Sequence, residues 1–127
     1  MSTRKKSRPT DGELEILRVL WRCGPSTVRA VHEQLAAEKD TSYNTTLKLL
    51  QIMHAKGTVV RDESKRPQVY SARVAESQMQ QRLVSDFLQR AFGGSASKLV
   101  AALTATDLSD EELKEVRRLL DEQERQR

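Results

Sequence analysis

The sequence has 127 residues, 37% hydrophobic and 31% charged, with a net charge of +4 at neutral pH. This length fits one small domain with an appended association element. No apolar run approaches the roughly 20 residues that cross a bilayer, and the basic start has no apolar stretch behind it, so neither a membrane span nor a signal peptide is expected. The single cysteine, Cys23, excludes a disulfide within one chain and a cysteine-based zinc site, and we expect a cytoplasmic protein.

The charge is unevenly distributed along the chain. Up to Arg73 there are 14 Lys and Arg residues against 8 Asp and Glu, whereas from Val74 onward there are 8 against 10. A basic front half and a slightly acidic back half indicate different partners for the two halves. A polyanion is one candidate partner of the front half, and a merely solvated surface is the alternative that charge alone leaves open.

Residues 1–9 are polar and basic, which predicts a flexible arm whose cations are Arg4, Lys5, Lys6 and Arg8. A first helix is predicted to begin after Thr10, because Thr10 and Glu13 have the spacing of a capping box. Gly24-Pro25 ends this helix. Its apolar residues recur at helical spacing and are predicted to face inward; they are Leu14, Leu17, Leu20 and Trp21.

Two further amphipathic helices are predicted before the next change of pattern. Ser26 has the right place to cap the second helix, and Gly57 ends the third helix, which covers residues 42–56. The residues expected to face the core are Val28, Val31 and Leu35 in the second helix and Leu47, Leu50 and Met53 in the third.

The periodicity changes after Gly57. The segments 58–61 and 68–71 are rich in β-branched or aromatic residues, which predicts two short strands. The polar segment 62–67 between them has the length of a hairpin loop. Three helices followed by a β-hairpin is the order of a winged helix-turn-helix domain, which we place at residues 10–74, with the wing at 58–73.

From residue 75 to the end the pattern is helical again. An apolar stripe precedes Gly93-Gly94, a short helix follows Ser95, and Ser109 and Glu112 have the spacing of another capping box. The stripe is wider than the two small helices after it can cover, so residues 75–127 are predicted to form a helical dimerisation domain. A monomer in which the stripe packs on the winged helix is the alternative. The predicted dimerisation residues are Met79, Leu83, Val84, Phe87, Leu88, Leu99, Leu103, Leu113, Val116 and Leu120.

The sequence thus predicts a mainly α fold with a small β-hairpin, and it offers no enzymatic constellation. His32 and His54 lie on different predicted helices without a carboxylate or cysteine at ligand spacing, so no metal site is predicted. No nucleophile elbow, P-loop or dinucleotide fingerprint is present. We expect no catalytic residue and no cofactor.

The start of the third helix is the candidate binding surface. The N-terminal end of a recognition helix enters the major groove of DNA, where short hydroxyl and amide groups meet base edges or phosphates. A plain helix cap followed by solvated threonines is the alternative. The residues predicted to contact the groove are Ser42, Tyr43, Asn44, Thr45, Thr46 and Lys48. Phosphate contacts from the arm and the wing are predicted for Arg4, Lys5, Lys6, Arg8, Arg61, Lys65 and Arg66.

Several strings give the chain a family resemblance, chiefly LEILRVLW at 14–21, YNTTLKLLQ at 43–51 and KGTVV at 56–60. With these the chain resembles the penicillinase repressors, the BlaI/MecI family, over most of its length. The resemblance implies a homodimer that binds a palindromic operator in duplex DNA and represses transcription of a β-lactamase-type or stress-response operon. It also implies inactivation by a sensor-linked protease, and DNA contacts by Tyr43, Asn44, Thr45, Thr46 and Lys48.

The sequence departs from the family pattern at three places. The staphylococcal repressors are cleaved at an Asn–Phe bond, and the matching region here is Ala102-Leu103. This difference argues against induction by the same cut, and cleavage of another bond is the alternative. Ile52 stands where many relatives have arginine in the recognition helix. The C-terminal cysteine motif of the copper-responsive relatives is missing, so copper sensing is not expected.

A protein-interaction adaptor is the alternative function, in which the winged helix is only a scaffold and the acidic half docks a partner. The basic arm and wing argue against it. RNA recognition is disfavoured because only Tyr43 and Tyr70 could stack on exposed bases. The predicted partners are therefore double-stranded DNA and a second copy of the chain, at the nucleoid.

Overall fold

The computed structural model describes residues 8–127, so the predicted arm cations Arg4, Lys5 and Lys6 lie outside the described residues. The chain divides into two compact units, one ending at Leu83 and the other covering Val84–Arg127. Helices and one small antiparallel sheet make up the described part, which confirms the predicted fold class. In chain order the elements are α1 (Asp11–Cys23), β1 (Ser26–Thr27), α2 (Val28–Ala36), α3 (Tyr43–Lys56), β2 (Val59–Asp62), β3 (Val69–Ala72), α4 (Glu76–Phe92), α5 (Ala96–Thr104) and α6 (Asp110–Arg125).

The capping residues show how the sequence sets the helix starts. The predicted capping box of α1 is present: Thr10 Oγ1 accepts from the Glu13 amide, and the Thr10 amide donates to Glu13 Oε1, both at 3.2 Å. The predicted cap of α2 was wrong by one residue, because Thr27 accepts from the Ala30 amide at 3.1 Å. Ser26 instead lies in β1, where its hydroxyl donates to the Gly24 carbonyl at 2.8 Å.

The sheet is three-stranded, with the antiparallel order β1-β3-β2. Tyr70 in the central strand lies opposite Ser26 on one side and Arg61 on the other. The hairpin strands begin one residue later than predicted, and the loop between them covers residues 63–68. We call β2, this loop and β3 the wing. Gly57 ends α3 in the left-handed conformation, with φ of 83°, which a residue without a Cβ adopts without strain.

The core of the first unit joins all of its helices to the sheet. Trp21 at its margin donates from Nε1 to the Val74 carbonyl at 2.9 Å, which fixes the segment after the wing to α1. Met79 is 1% exposed within this core and Leu83 packs against it. The buried apolar residues are Ile16, Leu17, Val19, Leu20, Val31, Leu50, Met53, Val59, Tyr70 and Met79.

The burial of Met79 corrects one dimerisation prediction. The sequence analysis treated the stripe from Met79 to Leu88 as a single free surface. The structure covers its first part with the core of the first unit, so Met79 is not available to a partner chain, and Leu83 is only partly exposed.

The second unit has helices but no buried side chain of its own. No residue from Val84 to Arg127 is buried, and Val84, Phe87 and Leu120 are 53%, 49% and 56% exposed. Ser95 caps α5 by accepting from the Lys98 amide, as predicted, and Ser109 caps α6 by accepting from the Glu112 amide. Among residues 8–127, no helix is long and apolar enough to cross a bilayer.

Candidate nucleic-acid interface

Helix α3 has one buried face and one exposed face. Thr46, Leu50 and Met53 are fully buried against the rest of the first unit. The opposite face carries Asn44 and Lys48, one turn apart and exposed. Because the inward face is fixed by packing, the helix presents these outward side chains in one orientation.

Some of the predicted groove residues make hydrogen bonds within the first turn of α3, and the others make none with residues 8–127. Ser42 Oγ accepts from the Thr45 amide at 3.1 Å and shares a hydrogen bond with Thr45 Oγ1 at 2.9 Å. Thr46 has no exposed surface, and its hydroxyl donates to the Ser42 carbonyl at 3.4 Å. Thr46 was therefore wrongly predicted to face the groove, because it lies on the face of α3 that packs inward, one turn before the buried Leu50. The Ser42 hydroxyl acts as the helix cap.

Of the predicted groove residues, Tyr43, Asn44 and Lys48 are exposed and make no side-chain hydrogen bond to the described part of the chain. Asn44 and Lys48 have no side-chain partner among residues 8–127. The ring of Tyr43 is 42% exposed and stands edge-on to the ring of His32, with centroids 5.9 Å apart. These three side chains offer a phenol, an amide and a cation within the first two turns of α3, which suits contacts to base edges and phosphates.

The wing holds its cations close to acidic neighbours. Arg61 in β2 donates to Glu63 Oε2 from Nε at 3.0 Å and from an Nη at 2.7 Å. Hydrogen bonds with Tyr70 and Glu63 hold the pKa of Arg61 above its ordinary value. The same hydrogen bond with Arg61 lowers the pKa of the Glu63 carboxyl. Arg61 is therefore a paired cation in the free protein.

The loop of the wing is ordered by its own side chains. Asp62 Oδ1 accepts from the Ser64 amide at 3.1 Å and from its hydroxyl at 2.6 Å, and these bonds lower the pKa of Asp62. Arg66 donates from Nη1 to the Glu63 carbonyl at 2.8 Å. Lys65 and Arg66 are exposed in this loop, as the sequence predicted, and Arg8 is exposed ahead of α1.

A cleft of about 590 Å³ lies between α3 and the wing. We call it the α3–wing cleft, and it brings together residues that are distant in sequence. Sequence reasoning missed five of its polar and aromatic lining residues, among them Arg29, Gln51 and Gln68. Gln51 could have been found, since it follows Tyr43 and Leu47 at four-residue spacing, whereas Arg29 and Gln68 carry no local signal. The polar and aromatic lining residues are Thr27, Arg29, Tyr43, Gln51, Arg61, Arg66, Gln68 and Tyr70.

The predicted dimerisation residues of the second unit lie on its three helical segments. Val84, Phe87, Leu103, Leu113 and Leu120 are exposed, and Leu88, Leu99 and Val116 are partly buried. Phe87 also meets Phe92 edge-to-face, with ring centroids 5.6 Å apart. The Ala102-Leu103 pair lies exposed within α5. No group of three or more metal-ligating side chains occurs in the described part of the chain.

A winged helix with a polar recognition helix and a basic wing defines the class of winged-helix DNA-binding regulators. A profile of the penicillinase repressor family matches residues 9–122. The chain belongs to this family, and it is a DNA-binding transcriptional repressor, not an enzyme.

Individual relatives agree with this assignment at modest identity. The methicillin resistance regulatory protein MecI of Staphylococcus aureus strain N315 is 24% identical over 112 residues, which cover 87% of this chain and 91% of the relative. The penicillinase repressor of Bacillus licheniformis is 27% identical over 114 residues, 89% of each chain. The transcriptional regulator BlaI of Mycobacterium tuberculosis strain H37Rv is 33% identical over 88 residues, 68% of this chain and 64% of the relative.

Solved structures with the same fold have lower identity. AbfR of Staphylococcus epidermidis has a TM-score of 0.51 at 18% identity and covers 98% of this chain and 75% of its own. A MarR family protein from Bacillus stearothermophilus has a TM-score of 0.51 at 17% identity and covers 98% and 84%. These similarities support the winged-helix fold alone.

Proposed function

We propose that the chain acts as a homodimer that binds a palindromic operator, with one recognition helix α3 in each of two successive major grooves. The observation that carries this proposal is the exposed face of α3. Asn44 and Lys48 stand free on it while the opposite face is fully buried, so the helix is positioned to place polar groups against base edges. Lys65 and Arg66 of the wing and Arg8 of the arm add phosphate contacts on either side.

The dimer is supported by the second unit. Its helices present large apolar side chains, such as Phe87 and Leu120, that no other part of the unit buries. An exposed apolar surface of this kind is covered in a stable protein by association. A two-fold dimer formed by residues 84–127 would bury this surface and carry two winged helices, which matches the two-fold symmetry of a palindrome. We accordingly place the dimerisation domain at the C-terminal end and the winged helix before it.

The names of the relatives support a proposal for the regulated genes. Proteins named as a methicillin resistance regulator and a penicillinase repressor are similar over almost the whole chain. We therefore propose a β-lactamase-type or stress-response operon as the target, in the cytoplasm at the nucleoid. A sensor-linked protease is the proposed route of derepression. A cut at Ala102-Leu103 would require local opening of α5, because proteases bind their substrates in extended form.

Selection of random duplexes by the purified full-length chain tests the proposal. We expect enrichment of two inverted half-sites whose centres are about 10 base pairs, or a multiple of that, apart. Duplex affinity should fall steeply with salt, with a log–log slope of about −0.9 for each phosphate neutralised. A chain that enriches no duplex, or that binds without salt dependence, would overturn DNA binding, and capture of a specific protein partner instead would favour the adaptor. A single unrepeated half-site would overturn the palindrome.

A further inference from the structure

Three guanidinium groups line the α3–wing cleft. Arg29 comes from the first turn of α2, Arg61 from β2 and Arg66 from the wing loop. No carboxylate of the described residues lines the cleft with them. Arg29 is exposed and has no ion-pair partner within residues 8–127. The cleft is therefore a concave, cationic site that lies directly beside the exposed face of the recognition helix.

Arg61 is the guanidinium of this cleft that already holds an anion. Glu63 bonds to its Nε and to one Nη through a single carboxylate oxygen, at 3.0 and 2.7 Å. This edge of a guanidinium is also the one that phosphate oxygens use. The Glu63 side chain is 57% exposed, whereas that of Arg61 is 24% exposed. Glu63 can therefore turn into solvent at small cost, while Arg61 stays directed at the cleft.

We infer that the α3–wing cleft binds one backbone phosphate of the DNA through Arg29, Arg61 and Arg66, and that Glu63 occupies Arg61 in the free protein and is displaced by that phosphate. The inference rests on the proposed function and adds to it a binding residue, Arg29, and an internal competitor, Glu63.

Glu63 acts against binding in two ways. Its bond to Arg61 must be broken before the phosphate is held, and after displacement its carboxylate remains close to the phosphate and repels it. Phosphate contacts carry no base information. Glu63 therefore lowers the affinity for operator and random duplex by the same factor, and it leaves their ratio unchanged.

Duplex binding by full-length variants tests this inference. We expect Glu63→Gln to tighten binding to operator and random duplex alike by about 2- to 5-fold, the scale of one exposed ion pair. The log–log salt slope should stay within about 0.3 of the wild-type value, because the same phosphate is neutralised in both proteins. Arg29→Gln should weaken both duplexes alike and make the slope shallower by less than about 0.9, because Arg61 and Arg66 still hold the phosphate.

Matched charge changes elsewhere provide the controls. Glu15→Gln removes the same charge and breaks a comparable exposed pair, Glu15 with Lys39 at 2.9 Å, away from the cleft. Arg18→Gln removes an exposed cation of α1 that does not line the cleft. Both controls should leave the salt slope within about 0.3 of the wild-type value, because they change no phosphate contact.

A double variant tests the exchange itself. If Glu63 acts through Arg61, the effect of Glu63→Gln should be smaller in an Arg61→Gln background, where there is no guanidinium to release and only the repulsion of the phosphate remains. Equal effects of Glu63→Gln in both backgrounds, or effects matching those of Glu15→Gln, would overturn the exchange. If the wild-type chain binds duplex but Arg29→Gln has the same affinity as Arg18→Gln, only the role of the cleft is overturned. A wild-type chain that binds no duplex would overturn the proposed function.

Discussion

Glu13 and Lys56 form an ion pair across 43 residues of sequence, with Lys56 Nζ 2.9 and 3.1 Å from the two carboxylate oxygens. The Glu13 side chain is 4% exposed and that of Lys56 is 28% exposed. The pair joins the first turn of α1, where Glu13 also completes the capping box, to the last turn of α3. One buried carboxylate thus fixes the start of the domain to the end of the recognition helix.

Removing Lys56 should lower the free energy of unfolding more than removing Glu13. Lys56→Met leaves the buried Glu13 carboxylate without its cation, so we expect a loss of about 2 kcal/mol in the free energy of unfolding. Glu13→Gln should cost about 1 kcal/mol, because the freed ammonium can turn into water. Urea unfolding followed by Trp21 fluorescence measures both. The control Lys39→Met breaks an exposed pair and should cost under about 0.5 kcal/mol; equal losses for the two lysine variants would contradict the prediction.

The hydrogen bond from Trp21 to the Val74 carbonyl should contribute to the stability of the first unit. Trp21→Phe keeps an aromatic ring but leaves this carbonyl without its donor, and we expect a loss of about 1 kcal/mol. Far-UV circular dichroism in urea gives the value without the tryptophan. As a control, Tyr43→Phe removes the polar atom of an exposed aromatic residue. It should change the free energy of unfolding by under about 0.5 kcal/mol. Identical losses would show that the bond contributes nothing.

The two faces of α3 should respond differently to substitution. Asn44→Ala should lower the ratio of operator to random-duplex affinity roughly 10-fold, the scale of one lost base contact. Thr46→Val should leave this ratio unchanged, because position 46 is buried, and should change the free energy of unfolding by under about 1 kcal/mol. Fluorescence anisotropy on both duplexes measures the ratio. A loss of discrimination in Thr46→Val as large as that in Asn44→Ala would contradict the burial of this side chain.

Charge placed on the apolar surface of the second unit should prevent association. We expect Phe87→Glu and Leu120→Glu to give monomers at micromolar concentration, since each puts a carboxylate into a surface that a partner would have to bury. Size-exclusion chromatography with light scattering measures the mass. Gln89→Glu adds the same charge to an exposed polar position of α4 and should leave the dimer intact. A wild-type chain that is itself monomeric under these conditions would refute the dimer.

Helix α6 offers a prediction of pH dependence. Arg118 bonds to Glu115 at 2.7 Å and lowers the pKa of that carboxyl from its ordinary 4.5. A carboxyl whose pKa is lowered by folding stabilises the folded state above its ordinary pKa, and this stabilisation is lost as the pH falls through the lowered value. NMR titration of Glu115 should give a midpoint below 4.5 that returns toward 4.5 in Arg118→Gln. Unchanged midpoints would rule out the pair in solution.

The order of elements could be predicted because its signals are local. Thr10, Gly57 and the Gly93-Gly94 break act within one turn of their own position, and each ends or begins a helix as predicted. The errors depend on distant contacts. Both Ser26 and Thr27 pair with the distant strand β3, and α2 begins directly after them at Val28, so Thr27 is the cap in place of Ser26.

The binding surface was predicted less completely, for the same reason. Six polar residues at the start of α3 were predicted to contact the groove. Only the packing of α3 against the rest of the unit determines that Thr46 turns inward while Asn44 and Lys48 turn outward. Arg29 comes to the cleft through the fold and not through any motif. Met79 lies on the same sequence stripe as Phe87, yet the first unit buries it. Helical spacing identifies a face, but it does not identify what covers that face.

The lack of any buried side chain between Val84 and Arg127 has a consequence for gene control. Under the proposed dimer, the second unit gains a core only by pairing, so its folding and its association are a single equilibrium. The amount of operator-competent protein then rises with the square of chain concentration while monomers predominate. A modest fall in chain number, by dilution at cell growth or by proteolysis of a few copies, would release the promoter more sharply than independent monomers could.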